Sequence, residues 1–220
     1  MCPLLPTRKP LLCYVTDRRS LSGTPGQATK LQIEKIEQAA QAGVDWIQLR
    51  EKGLSGREMA GMTARALACA GGRSAILVND RADVACALGA FGVHLGGRSL
   101  PLGETRRLVN YCCAGKDFLV GVSAHSLEGA IQSEQAGADY VIFGPVFATP
   151  SKAGFGPPQG VQSLQQVSKR LTIPVLAIGG ITLENAKDCL AAGAAGIAAI
   201  RLFQDAADLE TLVKELRRDP

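Results

Sequence analysis

Side chains able to bind a phosphorylated ligand follow several apolar runs of this sequence, at the points where buried strands would end. They are Gln48, Arg50, Glu51, Lys52, Asn79, Asp80, Arg81, Ser123 and Lys152. Guanidinium and ammonium groups supply positive charge, amide and hydroxyl groups supply directed hydrogen bonds, and a carboxylate can hold Mg²⁺ against phosphate oxygens. This combination of residue types predicts a site for a diphosphate with Mg²⁺.

A glycine pair and an arginine extend this prediction to a second phosphate. Gly179 and Gly180 follow the seventh apolar run, where the absence of side chains would let a phosphate approach backbone N–H groups at a helix N-terminus. Arg201 lies just past the last apolar run and could add a two-pronged donor. We therefore expect a phosphate-binding turn at this end of the protein.

Simpler explanations exist for each of these residues taken alone. Arg50 and Glu51 could form an ion pair, and Asp80 could cap a helix that begins at Arg81. The glycine pair could be only a tight turn, and Arg201 could pair on the surface. The functional interpretation depends on all of these side chains meeting at one place.

The chain has two histidines, both predicted at strand ends. His94 lies within an apolar run, so we expect a buried structural histidine with a fixed tautomer. His125 lies two residues beyond Ser123 and precedes Ser126, a predicted helix N-cap. His125 is therefore the candidate acid–base residue.

Eight short runs rich in Val, Ile and Leu alternate with segments of helical spacing, which is the pattern of βα units. The predicted strands are Leu11–Thr16, Trp46–Arg50, Ala75–Asn79, Gly92–Leu95, Phe118–Ser123, Tyr140–Phe143, Val175–Ile178 and Gly196–Ile200. The predicted helices include Thr29–Ala42, Gly56–Ala70, Ser126–Ala136, Val161–Arg170 and Glu184–Ala192. Eight such units predict a single α/β domain over residues 1–220, a closed (β/α)8 TIM barrel with its active site at the carboxyl ends of the strands.

An open doubly wound sheet is the alternative architecture. It usually carries a Gly-rich turn after the first strand, and Val15–Arg18 has none. A degenerate repeat also favours the barrel, because AGVD at 42–45, AGAD at 136–139 and AGAA at 192–195 each lie between a helix and the next strand. The glycine of each repeat is a candidate helix C-cap, so the chain is predicted to use one αβ turn three times.

The composition excludes several classes of protein. Hydrophobic residues make up 46% and charged residues 20% of the chain, which excludes disorder and collagen-like repeats. The net charge of +4 is too small and too dispersed for a nucleic-acid-binding protein. No run approaches the roughly 18 apolar residues of a membrane span, and prolines interrupt the first run before signal-peptide length, so we expect a cytoplasmic protein. Seven scattered cysteines without a Cys-x-x-Cys pair predict neither disulfides nor zinc, and homo-oligomerisation stays open.

Six motifs are spread over nearly the whole chain. They are QLREK at 48–52, NDR-x-DVA at 79–85, GVHLG at 92–96, GVSAHS at 121–126, DY-x-x-FGPVF-x-T-x-SK at 139–152 and IGGI at 178–181. In combination they resemble the motifs of the thiamine phosphate synthases and the related thiazole tautomerases, both TIM barrels. The resemblance implies an enzyme that couples hydroxymethylpyrimidine diphosphate to a thiazole (carboxylate) phosphate and releases diphosphate, with Mg²⁺ as cofactor.

The resemblance also implies roles for individual residues. Contacts to the pyrimidine diphosphate are implied for Gln48, Arg50, Glu51, Lys52, Asn79, Ser123 and Lys152. Contacts to the thiazole phosphate are implied for Thr149 and Ser151, with Gly179 or Gly180 supplying backbone amides. Ile200 and Arg201, at the end of the last predicted strand, are expected among the substrate-binding residues as well. Asp80 is similar to a magnesium ligand, and the expected catalytic residues are Lys152, Ser123 and His125.

Two positions depart from the synthase pattern. Synthases usually have a second Asp soon after the HLG motif and a Ser after the last strand, where this chain has Ser99 and Arg201. Two alternatives follow. A thiazole tautomerase would need only a phosphate anchor and a proton-transfer residue such as His125, and a catalytically silent ligand-binding barrel would tolerate both departures. Asp80 and the complete QLREK motif favour the synthase, because Mg²⁺ can use one carboxylate with substrate phosphates and water.

Overall fold

The chain forms a closed barrel of eight parallel strands in a computed structural model that describes residues 10–114, 117–149 and 157–218. The strands are β1 (Leu11–Val15), β2 (Trp46–Leu49), β3 (Ala75–Asn79), β4 (Gly92–Leu95), β5 (Leu119–Ala124), β6 (Tyr140–Phe143), β7 (Val175–Ile178) and β8 (Gly196–Ala199). Each strand pairs with the next, and β8 closes on β1 with Leu12 opposite Ile197. The predicted (β/α)8 barrel is confirmed, and the open sheet is excluded.

Helices connect the strands on the outside of the barrel. Those in the described residues are α1 (Pro25–Gln41), α2 (Gly56–Ala70), α3 (Ala82–Leu88), α4 (Leu102–Cys112), α5 (Leu127–Gln135), α6 (Gly160–Arg170), α7 (Leu183–Ala191), α8 (Arg201–Gln204) and α9 (Leu209–Leu216), with a 3₁₀ helix at Arg18–Ser20. The interpretation of Asp80 as a helix cap is wrong. Arg81 precedes α3, and Asp80 has a left-handed backbone with φ +64°.

The sequence prediction of the strands is accurate to one residue. Four strands have the predicted bounds, and the other four differ by one residue at one or both ends. Arg50 and Ile200, predicted as the last residues of their strands, lie directly after β2 and β8. Both therefore belong to loops at the carboxyl-terminal end of the barrel, which we call the rim.

Two apolar layers hold the barrel, and β1 shows how alternation fills both. Leu11, Cys13 and Val15 belong to the cluster inside the barrel, whereas Leu12 and Tyr14 belong to the cluster between strands and helices. Successive side chains of a strand point to opposite faces. Because both faces are buried, the strands are apolar throughout, which explains the continuous runs in the sequence.

The repeated αβ turn contains the predicted glycine, but the glycine follows the helix C-cap instead of being the C-cap. Gly43, Gly137 and Gly193 have φ of +89°, +92° and +93°, and each follows the alanine that caps the helix. A left-handed backbone is easily adopted by glycine, so the residue is required just beyond the cap rather than at it.

Two expectations from the sequence concern membrane-spanning helices and disulfide bonds. Among the described helices, none has the length and apolar content needed to cross a bilayer. The six cysteines in the described residues are all free, and three of them are buried.

Candidate active site at the carboxyl-terminal rim

A polar pair joins β2 and β3 just below the rim. Gln48 is 2% exposed, and its Nε2 donates to Asn79 Oδ1 over 2.7 Å. The Gln48 Oε1 is buried and has no hydrogen-bond partner among the described residues. A buried acceptor without a donor costs free energy. Gln48 is therefore suited to receive a hydrogen bond from a bound molecule.

A second polar group spans β4, β5 and β6. His94 Nε2 lies 2.8 Å from Ser123 Oγ, and His94 Nδ1 lies 3.2 Å from Tyr140 Oη. Burial lowers the pKa of His94 to about 3, a shift that Asp80 opposes and Arg50 strengthens. The imidazole is therefore neutral at pH 7, which agrees with the structural histidine predicted from the sequence.

Asp80 presents its carboxylate at the exposed end of β3. It is the one non-glycine residue with positive φ in the described chain, and its N–H donates to the His94 carbonyl over 2.9 Å. Ser99 Oγ makes a short hydrogen bond to Asp80 Oδ1 and accepts the Gly96 N–H over 2.6 Å. A strained backbone held by several contacts is typical of functional sites.

The oxygen donors around Asp80 fit Mg²⁺. The donor set consists of one carboxylate and the Ser99 hydroxyl, and Mg²⁺ is commonly bound by one or two carboxylates together with substrate phosphates. In the described residues, no group of three or more His, Cys, Asp or Glu side chains could hold a metal ion. A bound Mg²⁺ would therefore take its remaining ligands from phosphate oxygens and water.

The Glu51 carboxylate lies beneath the rim, where its side chain is 0% exposed. It accepts the Thr16 hydroxyl over 2.5 Å and the Arg18 N–H over 3.1 Å, and the Arg18 guanidinium lies 3.6 Å away. Burial raises the pKa of Glu51, against the hydrogen bonds from Thr16 and Arg18. The substrate contact predicted for Glu51 needs correction, because the carboxylate is turned into the protein. Its ion-pair partner is Arg18 rather than Arg50.

The Glu51 contact reaches Arg50 through Thr16. Thr16 Oγ1 donates to Glu51 and accepts the Arg50 N–H over 3.1 Å. The buried carboxylate thereby holds the first backbone amide after β2 in place. Arg50 itself is partly buried, and its charge acts on the neighbouring His94.

The predicted cations of the rim have different surroundings. Lys52 is exposed. Arg81 was also expected at the anion site, but its guanidinium donates to the two Asp83 oxygens over 2.8 and 2.5 Å. This two-pronged pair joins Arg81 to the first turn of α3, and its role at the anion site stays a prediction. Ser151 and Lys152 lie outside the described residues, and Thr149 is partly buried.

Gly179 and Gly180 form a left-handed turn between β7 and α7, with φ of +100° and +64°. A Cβ on Gly179 would lie 2.5 Å from Pro145 Cβ, and a Cβ on Gly180 would lie 2.5 Å from the Ala148 carbonyl oxygen. Both glycines are thus required by the close approach of the loop after β6. The turn leads into α7, whose N-cap is Thr182.

The loop after β8 lies next to this turn in the barrel, since β7 pairs with β8. Ile200 is the N-cap of α8, and the helix begins at the exposed Arg201. Gly179, Gly180, Ile200 and Arg201 therefore follow adjacent strands at the same end of the barrel. This is the end at which TIM barrels often bind phosphate, in the loops after strands seven and eight.

His125 directly follows β5 and has a fixed tautomer. Its Nδ1 makes a short hydrogen bond to the Gly144 carbonyl oxygen. A carbonyl can only accept, so Nδ1 carries the hydrogen, and in the neutral ring the lone pair is on Nε2. The residue is exposed, and Ser126 caps α5 by accepting the Gly129 N–H over 3.1 Å, as predicted. His125 can therefore accept a proton at Nε2.

Sequence reasoning missed Tyr140 and Thr16 as parts of the site. Tyr140 lies opposite Gly121 in the pairing of β5 with β6, and a Cβ on that glycine would lie 1.9 Å from Tyr140 Cζ. The signal was a tyrosine at an inward position beside a glycine, a pair that lets a ring cross the barrel interior. Thr16 carries no comparable signal.

A cavity of about 280 Å³ lies at the opposite end of the barrel. Its walls come from the segments at the amino-terminal ends of β3, β4 and β5 and from the neighbouring helices, and they include Ile76, Phe91, Phe118, Cys86 and Cys113. None of the described site residues lines it. The cavity is therefore separate from the polar groups at the rim.

Comparisons with known proteins identify the family and support the fold. A family model described as thiamine monophosphate synthase matches residues 12–203. The thiamine-phosphate synthase of Methanoculleus marisnigri is 42% identical over 181 residues, covering 81% of this chain and 83% of that protein. The corresponding protein of Chlorobium phaeovibrioides is 39% identical and covers 97% of both chains. The structure of thiamine phosphate pyrophosphorylase from Pyrococcus furiosus superposes with a TM-score of 0.79 at 32% identity, covering 94% of both chains.

Proposed function

The chain belongs to the thiamine monophosphate synthase family and is a synthase-type transferase of thiamine biosynthesis, and we propose that the residues of its rim bind and activate the two substrates. The proposed substrates are hydroxymethylpyrimidine diphosphate and a thiazole (carboxylate) phosphate. The observation that carries the assignment is that Gln48, Asn79, Asp80, Ser123 and His125 all lie at the carboxyl ends of β2, β3 and β5, at one end of the barrel.

The pyrimidine diphosphate is proposed to lie over β2, β3 and β5. Arg50, Lys52 and Lys152 would supply positive charge to the diphosphate, while Asn79 and Ser123 supply hydrogen bonds. Gln48 is proposed to accept a hydrogen bond from the same substrate, since its Oε1 has no partner in the described residues. Glu51 would support this group from below through Thr16.

Mg²⁺ is proposed as the cofactor, held by Asp80 with the Ser99 hydroxyl beside it. When bound, the ion would neutralise part of the diphosphate charge. The two residues supply hard oxygen donors, of which only the Asp80 donor is a carboxylate. Metal binding is therefore expected to depend on substrate phosphates.

The thiazole phosphate is proposed to bind at the turn after β7 and the loop after β8. Gly179 and Gly180 are partly exposed there and carry no side chain, and Arg201 would add charge beside Ile200. Thr149 and Ser151, in the loop after β6, are proposed as further phosphate contacts. This places the two substrates side by side across the barrel mouth.

In the proposed reaction, loss of diphosphate leaves a pyrimidine cation, and the thiazole nitrogen then forms a bond to its exocyclic carbon. The work of the protein is to stabilise the negative charge that leaves with the diphosphate. Lys152 and Ser123 would donate to the departing oxygens. His125 would accept a proton at Nε2 where the thiazole requires it.

The test is to incubate the purified protein with both substrates and Mg²⁺ and to assay for thiamine phosphate. Synthase activity that disappears with EDTA supports the proposal. A different result would favour one of the alternatives. Aromatisation of the thiazole tautomer in EDTA, lost in His125→Ala, would show a tautomerase, and thiazole phosphate binding without either reaction would show a silent barrel.

We also propose that the enzyme works in the cytoplasm, because its six described cysteines are free, as expected in a reducing compartment. A homo-oligomer is proposed as well, and light scattering on the purified protein would measure its mass directly. Neither nucleic acid nor a membrane is proposed as a partner.

A further inference from the structure

We propose that Tyr140 and His94 are positioning residues that fix the direction of the Ser123 hydroxyl, so that its hydrogen faces the ligand. The chain of contacts runs from Tyr140 Oη to His94 Nδ1 over 3.2 Å, and from His94 Nε2 to Ser123 Oγ over 2.8 Å. The inference rests on the proposed function only for the identity of the ligand, an oxygen of the pyrimidine diphosphate.

The neutral imidazole of His94 has one N–H and one lone pair, which allows two arrangements. In the first, Tyr140 donates to Nδ1, and Nε2–H donates to Ser123 Oγ. In the second, Nδ1–H donates to Tyr140 Oη, and the Ser123 hydroxyl donates to Nε2. The two arrangements give Ser123 opposite roles, because only the first leaves its hydrogen available to a ligand.

The buried tyrosine selects the first arrangement. Tyr140 is 0% exposed, and in the described part of the chain His94 is the hydrogen-bond partner of its hydroxyl. Burial also raises the pKa of Tyr140 well above its ordinary value, so the phenol keeps its hydrogen. The second arrangement would leave this O–H buried without an acceptor, which is costly, whereas the first satisfies it.

The packing around Tyr140 prevents its ring from turning to another partner. Tyr140 Cζ occupies the space that a side chain on Gly121 would fill, since a Cβ there would lie 1.9 Å away. Trp46 packs against the other side with ring centroids 4.7 Å apart. The phenol is therefore held at Nδ1 by sterics as well as by its hydrogen bond.

The consequence concerns charge at the rim. Ser123 Oγ already accepts a hydrogen from His94, so its own hydrogen must be donated elsewhere, and it is suited to an anionic oxygen. A donor whose direction is set before the ligand arrives needs no reorganisation as negative charge develops. Buried residues of the barrel interior would thus determine how one rim hydroxyl acts.

Nitrogen NMR of the histidine rings tests the inference without any ligand. The chain has two histidines, and the structure assigns them opposite tautomers: His94 protonated at Nε2 and His125 at Nδ1. We expect long-range ¹H–¹⁵N spectra of the full chain to show one ring of each kind, with His125→Gln identifying the second. A His94 ring protonated at Nδ1 would overturn the proposal.

Kinetics of Tyr140→Phe supply the second arm. Without the Tyr140 hydroxyl, nothing favours the Nε2–H tautomer of His94, and the Ser123 hydroxyl can also donate to His94. We therefore expect kcat for thiamine phosphate formation to fall about tenfold with KM nearly unchanged. The same substitution in a Ser123→Ala background is expected to have no further effect on kcat. Tyr111→Phe, at an exposed tyrosine, is the control and should behave as wild type.

The two arms separate the inference from the function on which it rests. If Tyr140→Phe lowers kcat equally in the wild-type and the Ser123→Ala backgrounds, the proposed positioning is contradicted, because the tyrosine would then act independently of the serine. Wild-type kinetics in Ser123→Ala would instead contradict the proposed diphosphate contact. The tautomer of His94 would still decide whether Tyr140 and His94 direct the hydroxyl.

Discussion

The two ends of the barrel use the same residue types, a carboxylate and an arginine, for different purposes. At the amino-terminal end, Asp45 Oδ2 accepts the Leu12 N–H over 2.8 Å and an Arg217 N–H over 2.9 Å. At the rim, Glu51 pairs with Arg18 beneath the loop that follows β1. The first pair binds the backbone of a strand, whereas the second binds the backbone of a loop.

The basal arrangement occurs twice. Asp139 Oδ2 accepts the Val120 N–H over 2.7 Å and lies 2.7 Å from Arg106 Nη2. Each arginine also donates to the carbonyl of the glycine two residues before its aspartate, Gly43 for Arg217 and Gly137 for Arg106. The pair at β1 and β2 thus has an equivalent at β5 and β6, half a barrel away.

The difference shows where stability and function are separated in this fold. A basal carboxylate joins the start of one strand to the turn before the next strand and, through its arginine, to an outer helix, so it links neighbouring parts of the barrel. The rim carboxylate holds a loop beside Arg50, a predicted substrate contact. Substitutions at the base should therefore change the unfolding free energy, and substitutions at the rim should change catalysis.

Lys152→Ala is expected to have the largest effect. Loss of a charge-assisted contact to the diphosphate should cost on the order of 1.5–3 kcal/mol, roughly tenfold or more in kcat/KM. Lys169→Ala, at an exposed position of α6, is the matched control. Steady-state kinetics equal to wild type would remove Lys152 from the site.

Asp45→Asn is expected to lower the unfolding free energy by about 2 kcal/mol, because a buried charged acceptor is lost from Leu12 and Arg217. The same change at Asp139 should cost about 1 kcal/mol, since that side chain is 26% exposed and water screens it. Urea denaturation measures both, and kcat should stay at the wild-type value. A large loss of kcat without loss of stability would contradict the separation of the two ends.

Glu51→Gln should change catalysis more than stability. The variant keeps an oxygen that can accept from Thr16 and from the Arg18 N–H, and it removes a charge that burial already disfavours, so we expect the unfolding free energy to change by less than about 1 kcal/mol. We expect a severalfold loss in kcat/KM, because a neutral amide binds the Thr16 hydroxyl less strongly and Thr16 then holds the Arg50 amide less firmly. The raised pKa of Glu51 means that the folded state binds its proton more tightly than the unfolded chain. The wild type should therefore lose part of its stability as pH rises above the ordinary value of 4.5, and the variant should lack that loss.

Ser99→Asp should have the smallest effect. It adds to the rim a carboxylate that, unlike Glu51, has no arginine partner. The new charge would face Asp80, so the melting temperature should fall slightly without Mg²⁺ and recover when Mg²⁺ and diphosphate are added. The Mg²⁺ concentration that half-saturates thiamine phosphate formation should fall. Ser99→Ala is the uncharged control, and an equal Mg²⁺ requirement in all three proteins would exclude Ser99 from the metal site.

Several site residues were predictable because their positions follow from the strand ends. Gln48, Asn79, Asp80 and Ser123 are polar residues at the ends of apolar runs, and the parallel barrel brings all such ends together. Arg81 and Glu51 were predicted from the same rule and behave differently. The position of a residue relative to its strand gives the end of the barrel at which the residue lies. The direction of its side chain depends on hydrogen-bond partners such as Asp83 and Thr16, which the strand-end rule does not predict.

The sequence by itself determined the number of strands, their bounds to within one residue and the closed barrel, because buried parallel strands and βα turns leave periodic signals along the chain. The family followed from the resemblance of its motifs to those of known proteins. The tertiary structure decided which polar groups meet. The pairs Glu51–Arg18, Asp45–Arg217 and His94–Tyr140 join residues 33, 172 and 46 positions apart. Such partners are fixed by strand register and helix packing, which no local pattern of residue types contains.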